Sequence, residues 1–262
     1  MDKDFLWLNI RSLPYFRGLL RAVEARFYQD LILSSPVLDL GCGDGHFGSI
    51  AFPAEVEVGI DPWVKSLKKA AKTQAYHMVV CGNGTKLPFS DGDFNAIVSN
   101  SVLEHIENID NTLQEISRVL AVDGLFVFCV PNHQFLSNLS ISSLLDKIGL
   151  KPLGNIYRDM FNKISRHYHC DPPDVWIYRL DQYGLKVERW WHYFSPKALH
   201  TLEWGHYFGL PSYIIQMLFG RWILVPKLWN LSLVNKFTRP IYDEETKHPD
   251  GSYTFYIASK IH

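Results

Sequence analysis

An excess of charge of one sign is absent from this chain. Its 262 residues include 26 Lys and Arg against 27 Asp and Glu, which gives a formal net charge of −1. Without a basic excess there is no general attraction to phosphate backbones, so we expect no nucleic acid among the partners. The apolar share of 47% and the charged share of 20% are ordinary for a folded domain.

Cysteine is scarce and widely spaced. The four cysteines are Cys42, Cys81, Cys129 and Cys170. They form neither the close pairs of a metal-binding motif nor the dense framework of a small disulfide-linked protein. We therefore expect reduced thiols and a cytoplasmic protein.

Long apolar runs are also missing. The first residues include acidic side chains and no sustained apolar core, so we expect no secretory signal. The most hydrophobic stretch, 211–235, is interrupted by Gly220, Arg221 and Pro226 before it reaches the ~20 apolar residues of a spanning helix. No transmembrane helix is expected.

What the sequence does contain is a regular alternation of apolar strands and amphipathic helices. Strands are predicted at 37–40, 56–60, 75–80, 94–99, 125–130, 185–193 and 251–259, and helices within 13–31, 64–74 and 111–120. Gly124 is predicted to stop the last of these helices. The alternation predicts an α/β fold with a doubly wound, mostly parallel seven-stranded sheet.

The alternation is lost after Pro131. Residues 133–170 contain no evident strand and are predicted to form an inserted lid, whereas 195–240 are predicted to form a helical cap rich in aromatic residues. With no internal repeat, we expect one domain over 1–262, made of a cofactor-binding core (12–132), the lid and the C-terminal part (171–262).

The strongest chemical signal is the segment VLDLGCGDGHFG, residues 37–48. A glycine-rich turn between a buried strand and a helix lets the backbone approach a ligand where a Cβ atom would clash. Gly41, Gly43 and Gly45 are the positions of close approach. Taken alone, the same string also fits a tight connection without a ligand.

A carboxylate follows at the end of the second strand. Asp61, in VGIDP, lies where it can accept hydrogen bonds from a ribose diol. A nicotinamide site prefers G-x-G-x-x-G, whereas the spacing here is G-x-G-x-G. Asp39 and Asp44 would repel a pyrophosphate and attract the sulfonium and amino groups of S-adenosylmethionine.

Four segments in order resemble the class I S-adenosylmethionine-dependent methyltransferases, particularly their small-molecule branch. They are LDLGCGDGHFG, GIDP, CGNGTKLPFSDGDFNAIVSNSVLEHIEN and GLFVFCVPN. The resemblance covers residues 36–132. Farther along the chain only the order of elements and the phrase HYFSPKAL are similar to the family.

The resemblance implies a role for each matching residue on the methionine and ribose side. Asp39 and the backbone of Gly41 and Gly43, with Cys42 between them, would hold the methionine portion of S-adenosyl-L-methionine. Asp61 would bind the ribose hydroxyl groups.

On the adenine side, Pro62 and Trp63 would flank the base. Similar proteins carry an acidic residue before the LPF phrase, but Asn83 stands here beside Gly84, and its carbonyl oxygen can still accept a bond from the adenine amino group. Asn100, with Ser101, would line the site near the methyl group.

The family resemblance also bears on metal binding. In some relatives a carboxylate three positions before a Glu-His pair completes a divalent metal site, whereas this chain has Ser101 ahead of Glu104 and His105. With two adjacent candidate ligands only, we expect no metal.

Methyl transfer needs a general base only if the acceptor atom is protonated at working pH. His133, directly after the fifth strand, is the first candidate and His105 another, followed by His167 and His169 in the lid. The alternative for each is an ordinary surface or hydrogen-bonded histidine.

Residues 190–229 are unusually aromatic. These side chains fit either the packing of a helical cap or the wall of an acceptor pocket. The mixture of Ile, Leu, Phe and Trp with Arg221, Lys227 and Lys236 in 211–237 is also typical of a segment at a membrane surface. A lipid-linked acceptor and membrane association would agree with it.

The sequence therefore predicts S-adenosylmethionine-dependent methyl transfer to a small or lipid-like acceptor. The alternative is a catalytically silent protein that binds an adenosyl ligand or serves as a scaffold on the same fold. A nicotinamide oxidoreductase is disfavoured by the loop spacing. The acceptor atom and the oligomeric state do not follow from the sequence.

Overall fold

The computed structural model describes residues 3–261, with the side chain of Leu210 left out, and contains a seven-stranded sheet. The strands are β1 (Val37–Leu40), β2 (Val56–Asp61), β3 (Tyr76–Cys81), β4 (Phe94–Asn100), β5 (Leu120–Pro131), β6 (Leu185–Tyr193) and β7 (Tyr253–Lys260). Their order is β3-β2-β1-β4-β5-β7-β6, with β7 antiparallel to both neighbours and the other pairs parallel. The predicted mostly parallel sheet is confirmed. The predicted domain span also includes residues 1, 2 and 262, which lie outside the described part.

Helices cover both faces of the sheet. They are α1 (Phe5–Ile10), α2 (Tyr15–Phe27), α3 (His46–Ala51), α4 (Val64–Ala70), α5 (Ile109–Val119), α6 (Gln134–Ser137), α7 (Ser140–Lys147), α8 (Lys151–Ser165), α9 (Pro173–Asp181), α10 (Pro196–Phe208), α11 (Leu210–Phe219) and α12 (Leu228–Tyr242). Alternate residues of β4 face opposite sides, because Ala96 and Val98 belong to one buried cluster and Ile97 to the other. Two apolar cores result, one on each face.

Gly124 does not stop α5, so that prediction is wrong. The helix ends at Val119, and Leu120 already has the extended backbone that begins β5. Gly124 lies inside β5, where a Cβ atom would approach the carbonyl oxygen of Ala121 to 2.8 Å. The glycine therefore serves a local irregularity in the strand, next to the register shift between β4 and β5.

The segment 133–170 is helical and contains no strand, with α6, α7 and α8 as its elements. After α8 the chain reverses at Arg166, whose φ is +56°. Two hydrogen bonds then fix the returning chain beside the turn that follows β4. The N–H of Tyr168 donates to the Glu104 carbonyl at 2.7 Å, and His169 Nε2 lies 2.9 Å from the Ile106 carbonyl.

The C-terminal helices pack on α2 and leave a large apolar surface outward. Gly205 of α10 is in tight contact with Phe16, because a Cβ atom at position 205 would overlap that ring. None of the described side chains of α11 is buried. Between residues 3 and 261, no helix has both the length and the apolar character needed to cross a membrane.

Candidate active site

A cavity of about 430 Å³ opens at the carboxyl ends of β1 and β4. These strands are neighbours, although β2 and β3 continue the sheet on one side and β5 on the other, so the order reverses at this point. Ligands of open α/β sheets bind in the crevice that such a reversal creates. Asp39, Gly41, Cys42, Gly43 and Asn100, all predicted from the sequence, line this cavity.

The glycine loop has the backbone geometry that its composition predicts. Gly41 has φ of +82°, and a Cβ atom there would lie 2.5 Å from Val102 Cγ2. Gly43 has φ of +58°, and no atom lies within 4 Å of the point where its Cβ would stand. The loop is therefore tightly packed at Gly41 and open toward the cavity at Gly43.

Asp39 is a buried carboxyl group at the floor of the cavity. The hydroxyl of Tyr76, on β3, donates to its Oδ2 at 2.6 Å. Burial raises the pKa of Asp39 to about 7, against the lowering effect of the Tyr76 hydrogen bond. Near neutral pH this side chain can therefore switch between its charged and neutral forms. Tyr76 was not singled out from the sequence, since only the parallel pairing of β2 with β3 brings it here.

Asp61 is attached to the glycine loop from the neighbouring strand. Its Oδ2 accepts the Gly43 N–H at 3.0 Å, and its Oδ1 accepts the Trp63 N–H at 2.9 Å. Each carboxylate oxygen has a second lone-pair direction, so these bonds fix the side chain and leave acceptor sites free.

The residues expected around adenine lie outside this cavity. Trp63 is 71% exposed and borders a different cleft, shared with Arg166 and His167. Asn83 is exposed and its Oδ1 already accepts the Thr85 N–H at 3.1 Å. Pro62, next to Trp63, is exposed, and Gly84 is packed against Thr112 and Leu40 of the core. The structure therefore places these four residues beside the site rather than in its wall.

A buried carboxylate that was not predicted from the sequence accepts hydrogen bonds from residues that line the site. Glu24, on α2, is fully buried. Its Oε2 accepts from Arg21 at 2.8 Å and from Asn100 Nδ2 at 2.6 Å. Its Oε1 accepts the hydroxyls of Ser101 at 2.9 Å and Tyr193 at 3.0 Å. The position of Glu24 on the apolar face of the leading helix was the available sequence signal.

A second cavity, of about 620 Å³, adjoins the first. Arg17, Arg21 and Trp222 line both, and Ser101 of the second directly follows Asn100 of the first. The guanidinium of Arg17 lies 5.7 Å from the centre of the Trp222 ring. The two cavities therefore meet at one turn of α2.

Three ionisable groups meet in the second cavity. Atoms of Glu104, His105 and His167 lie within 4.8 Å of one another. Burial raises the pKa of Glu104 to about 8 and lowers the pKa of His167 to about 3. Burial also lowers the pKa of His105, whose Nδ1 is 3.0 Å from the Arg166 carbonyl. His167 comes from the chain reversal after α8, so sequence spacing could not supply this third group.

The cluster is large enough for metal ligation, but its surroundings are cationic. Arg17, Arg21 and Arg166 line the same cavity and would oppose a divalent cation. The sequence expectation of no metal stays a prediction.

The other two histidine candidates are placed apart from both cavities. His133 precedes α6 on the surface, with its ring centre 6.0 Å from that of His192. The chain turns into α6 immediately after β5, which carries His133 toward β6. The ring of His169 contacts the Ile106 carbonyl and lies 3.6 Å from Asp171, so these contacts stabilise the local structure.

Comparison with known proteins agrees with the topology. Residues 38–128 match a family model described as a methyltransferase domain. These residues, about a third of the chain, carry the methyltransferase domain that the sequence predicted. S-adenosyl-L-methionine, the cofactor predicted from the glycine loop and Asp39, is the cofactor of this family.

The curated relatives match this chain over part of its length. A malonyl-(acyl-carrier protein) O-methyltransferase from Legionella pneumophila is 31% identical over 98 residues, which are 35% of this chain and 34% of that protein. Among the first four relatives, the chain spans between 27% and 48% of their length.

Solved structures extend the likeness of fold to nearly the whole chain. One is a methyltransferase from Thermotoga maritima described as a possible histamine N-methyltransferase, with a TM-score of 0.58, 14% identity and coverage of 94% of this chain and 91% of that one. Another is the geranyl diphosphate C-methyltransferase of Streptomyces coelicolor A3(2), with a TM-score of 0.55, 16% identity and coverage of 94% and 82%. At 14% and 16% identity, these likenesses show that the chain shares the fold of the two proteins.

Proposed function

We propose that the protein transfers a methyl group from S-adenosyl-L-methionine in the 430 Å³ cavity to a small or lipid-like acceptor in the 620 Å³ cavity. The observation that carries this proposal is the shared wall of the two cavities, formed by Arg17, Arg21 and Trp222. A catalytically silent ligand-binding protein has no need for a second cavity at this point.

The residues of the first cavity fit the proposed cofactor. The Asp39 carboxylate can accept hydrogen bonds from the ammonium group of the cofactor. The open space beside Gly43 gives room for the backbone to approach the methionine portion. Two backbone N–H groups fix the Asp61 carboxylate at the edge of the same loop. In that position it can accept hydrogen bonds from the ribose hydroxyl groups.

The proposed chemistry is an in-line displacement. A lone pair of the acceptor forms a bond to the methyl carbon while the carbon–sulfur bond breaks. The electron pair of the broken bond stays on the sulfur, which becomes a neutral thioether. Holding the acceptor close to the methyl group can contribute about 7 to 11 kcal/mol to the lowering of the barrier. The chain contributes by positioning the two reactants in adjoining cavities.

For a hydroxyl acceptor, Glu104 is a better candidate base than His133. It lines the second cavity, and its Oε2 is buried without a hydrogen-bond partner among residues 3–261. A pKa of about 8 is close to working pH, which is where a general base is most effective. His105, oriented by the Arg166 carbonyl, lies beside it.

Replacement of Asp61 by alanine tests the cofactor assignment. We expect Asp61→Ala to weaken S-adenosylmethionine binding by ~1.5 to 3 kcal/mol, because charge-assisted hydrogen bonds to the ribose are lost. Calorimetric titration measures this, with Asp159→Ala on the exposed side of α8 as the matched control. Equal affinity in the two variants would contradict the ribose assignment.

Transfer of labelled methyl to a lipid extract by the wild-type protein would separate an enzyme from a silent binder.

We further propose that residues 211–237 contact a membrane surface. Leu218 of α11 and Trp229 and Leu233 of α12 are 70 to 80% exposed. The sequence from Trp204 to Tyr242 contains no Asp or Glu but four basic residues, Arg221, Lys227, Lys236 and Arg239. Apolar side chains together with basic ones are complementary to an anionic lipid headgroup layer.

Vesicle binding tests this contact. We expect the protein to sediment with vesicles containing phosphatidylserine and to bind phosphatidylcholine vesicles less tightly. Each large apolar side chain that enters the interface can contribute ~1.5 to 3 kcal/mol, so Leu218→Ser or Trp229→Ser should weaken binding at least tenfold. Ile32→Ser, at an 85% exposed position outside this surface, is the control. Binding by both serine variants at wild-type strength would overturn the proposal.

A further inference from the structure

The second cavity carries an excess of positive charge. Its basic side chains are Arg17, Arg21 and Arg166, and its only carboxyl group is Glu104. Arg21 is paired with Glu24 at 2.8 Å. Arg17 and Arg166 take part in no ion pair within residues 3–261.

The carboxyl group does not cancel this charge. Burial raises the pKa of Glu104 to about 8, so near neutral pH this carboxyl group is only partly ionised, and a single carboxylate cannot offset two unpaired guanidinium groups. Two exposed guanidinium groups that line one cavity without an acidic partner therefore favour an anionic ligand.

Apolar and aromatic side chains form much of the remaining wall. Phe16, Leu20, Phe135, Ile164, Leu202 and Tyr253 contribute to it. Tyr213 and Trp222 extend the lining to α11 and the loop after it, and these are the elements whose apolar side chains face outward. The cavity thus combines positively charged side chains with an apolar path toward the surface proposed to meet a membrane.

We propose that the methyl acceptor is an anionic amphiphile, a molecule whose phosphate or carboxylate group pairs with Arg17 and Arg166 and whose apolar chain lies along this path. This inference rests on the proposed function and narrows its substrate class. Arg166 lines the second cavity and not the first, so its role can be tested separately from cofactor binding.

Calorimetric titration with eight-carbon probes tests the acceptor class. Octyl phosphate and octanoate should bind at least tenfold more tightly than octanol or octyltrimethylammonium. Inorganic phosphate should also bind at least tenfold more weakly than octyl phosphate, because it lacks the apolar chain. Octanol binding as tightly as octyl phosphate would overturn the anionic part, and inorganic phosphate binding as tightly would overturn the amphiphilic part.

Substitution separates this cavity from other apolar surfaces. Arg166→Gln should weaken octyl phosphate binding at least tenfold and leave octanol binding unchanged. Arg158→Gln, on the preceding helix α8, is the control, since Arg158 is paired with Asp146 outside the cavity. Unchanged octyl phosphate affinity in Arg166→Gln would overturn the proposal. The affinity for S-adenosylmethionine, measured on the same proteins, should be the same in Arg166→Gln as in the wild type. If the wild-type protein did not bind S-adenosylmethionine, that result would contradict the proposed function instead.

Discussion

Replacing Glu24 by alanine is expected to lower the free energy of unfolding by about 3 to 5 kcal/mol, the cost of breaking a buried charged network. The substitution leaves Arg21, Asn100 and Tyr193 without the acceptor that each now has. Asn100 also lines the cofactor cavity, so the loss should extend to S-adenosylmethionine binding. Urea unfolding followed by circular dichroism measures the first effect, and calorimetry the second.

Two further variants define the origin of that loss. Glu55→Ala removes a half-exposed carboxylate and should change stability by less than about 0.5 kcal/mol. Glu24→Gln keeps the shape and one acceptor oxygen but loses the charge that meets Arg21, so we expect an intermediate effect. If Glu24→Ala were as stable as Glu55→Ala, the network would not support the site.

Replacing Asp39 by asparagine is expected to weaken S-adenosylmethionine binding by at least about 30-fold, since losing one partner of a buried charge pair costs at least about 2 kcal/mol. The wild-type affinity should also depend on pH. Because the pKa of Asp39 is raised to about 7, protons compete with the cofactor's ammonium group below that pH. Affinity should fall by up to about tenfold per pH unit from pH 7 to pH 5.

The asparagine variant is its own control for this pH dependence, because an amide does not titrate there. Calorimetry at several pH values should give a sloping profile for the wild type and a flatter one for Asp39→Asn. Stability without cofactor follows the opposite direction. A carboxyl group whose pKa is raised by folding stabilises the protein at low pH, and that contribution is lost as pH rises from about 3.8 through about 7. A wild-type affinity that is constant across this range would contradict the role of Asp39.

The sequence was most informative where function depends on local backbone. Strand β1, the loop through Gly41 and Gly43, and Asp61 lie within one stretch of chain, and their spacing predicts their meeting in the fold. The doubly wound, mostly parallel sheet followed for the same reason, since parallel strands joined by helices have few arrangements.

The parts that could not be predicted depend on distant pairings. Tyr76 reaches Asp39 from β3, and His167 reaches Glu104 from beyond α8. Glu24 contacts Asn100 and Tyr193 across most of the sequence. No periodicity encodes such contacts, because they are set by how three separate segments pack. The surface exposure of Trp63 was missed because a family position does not determine which way a side chain turns.

The turn of α2 that bears Arg17 and Arg21 lies between the two cavities. Apart from this turn, the two cavities are lined mostly by different segments of the chain. The matched family core, 38–128, provides the glycine loop and Asp39 on one side. Most of the other wall comes from α2 and from helices after residue 134. Under the proposed function, changes in the flanking helices can therefore alter the acceptor chamber while the cofactor chamber stays unchanged.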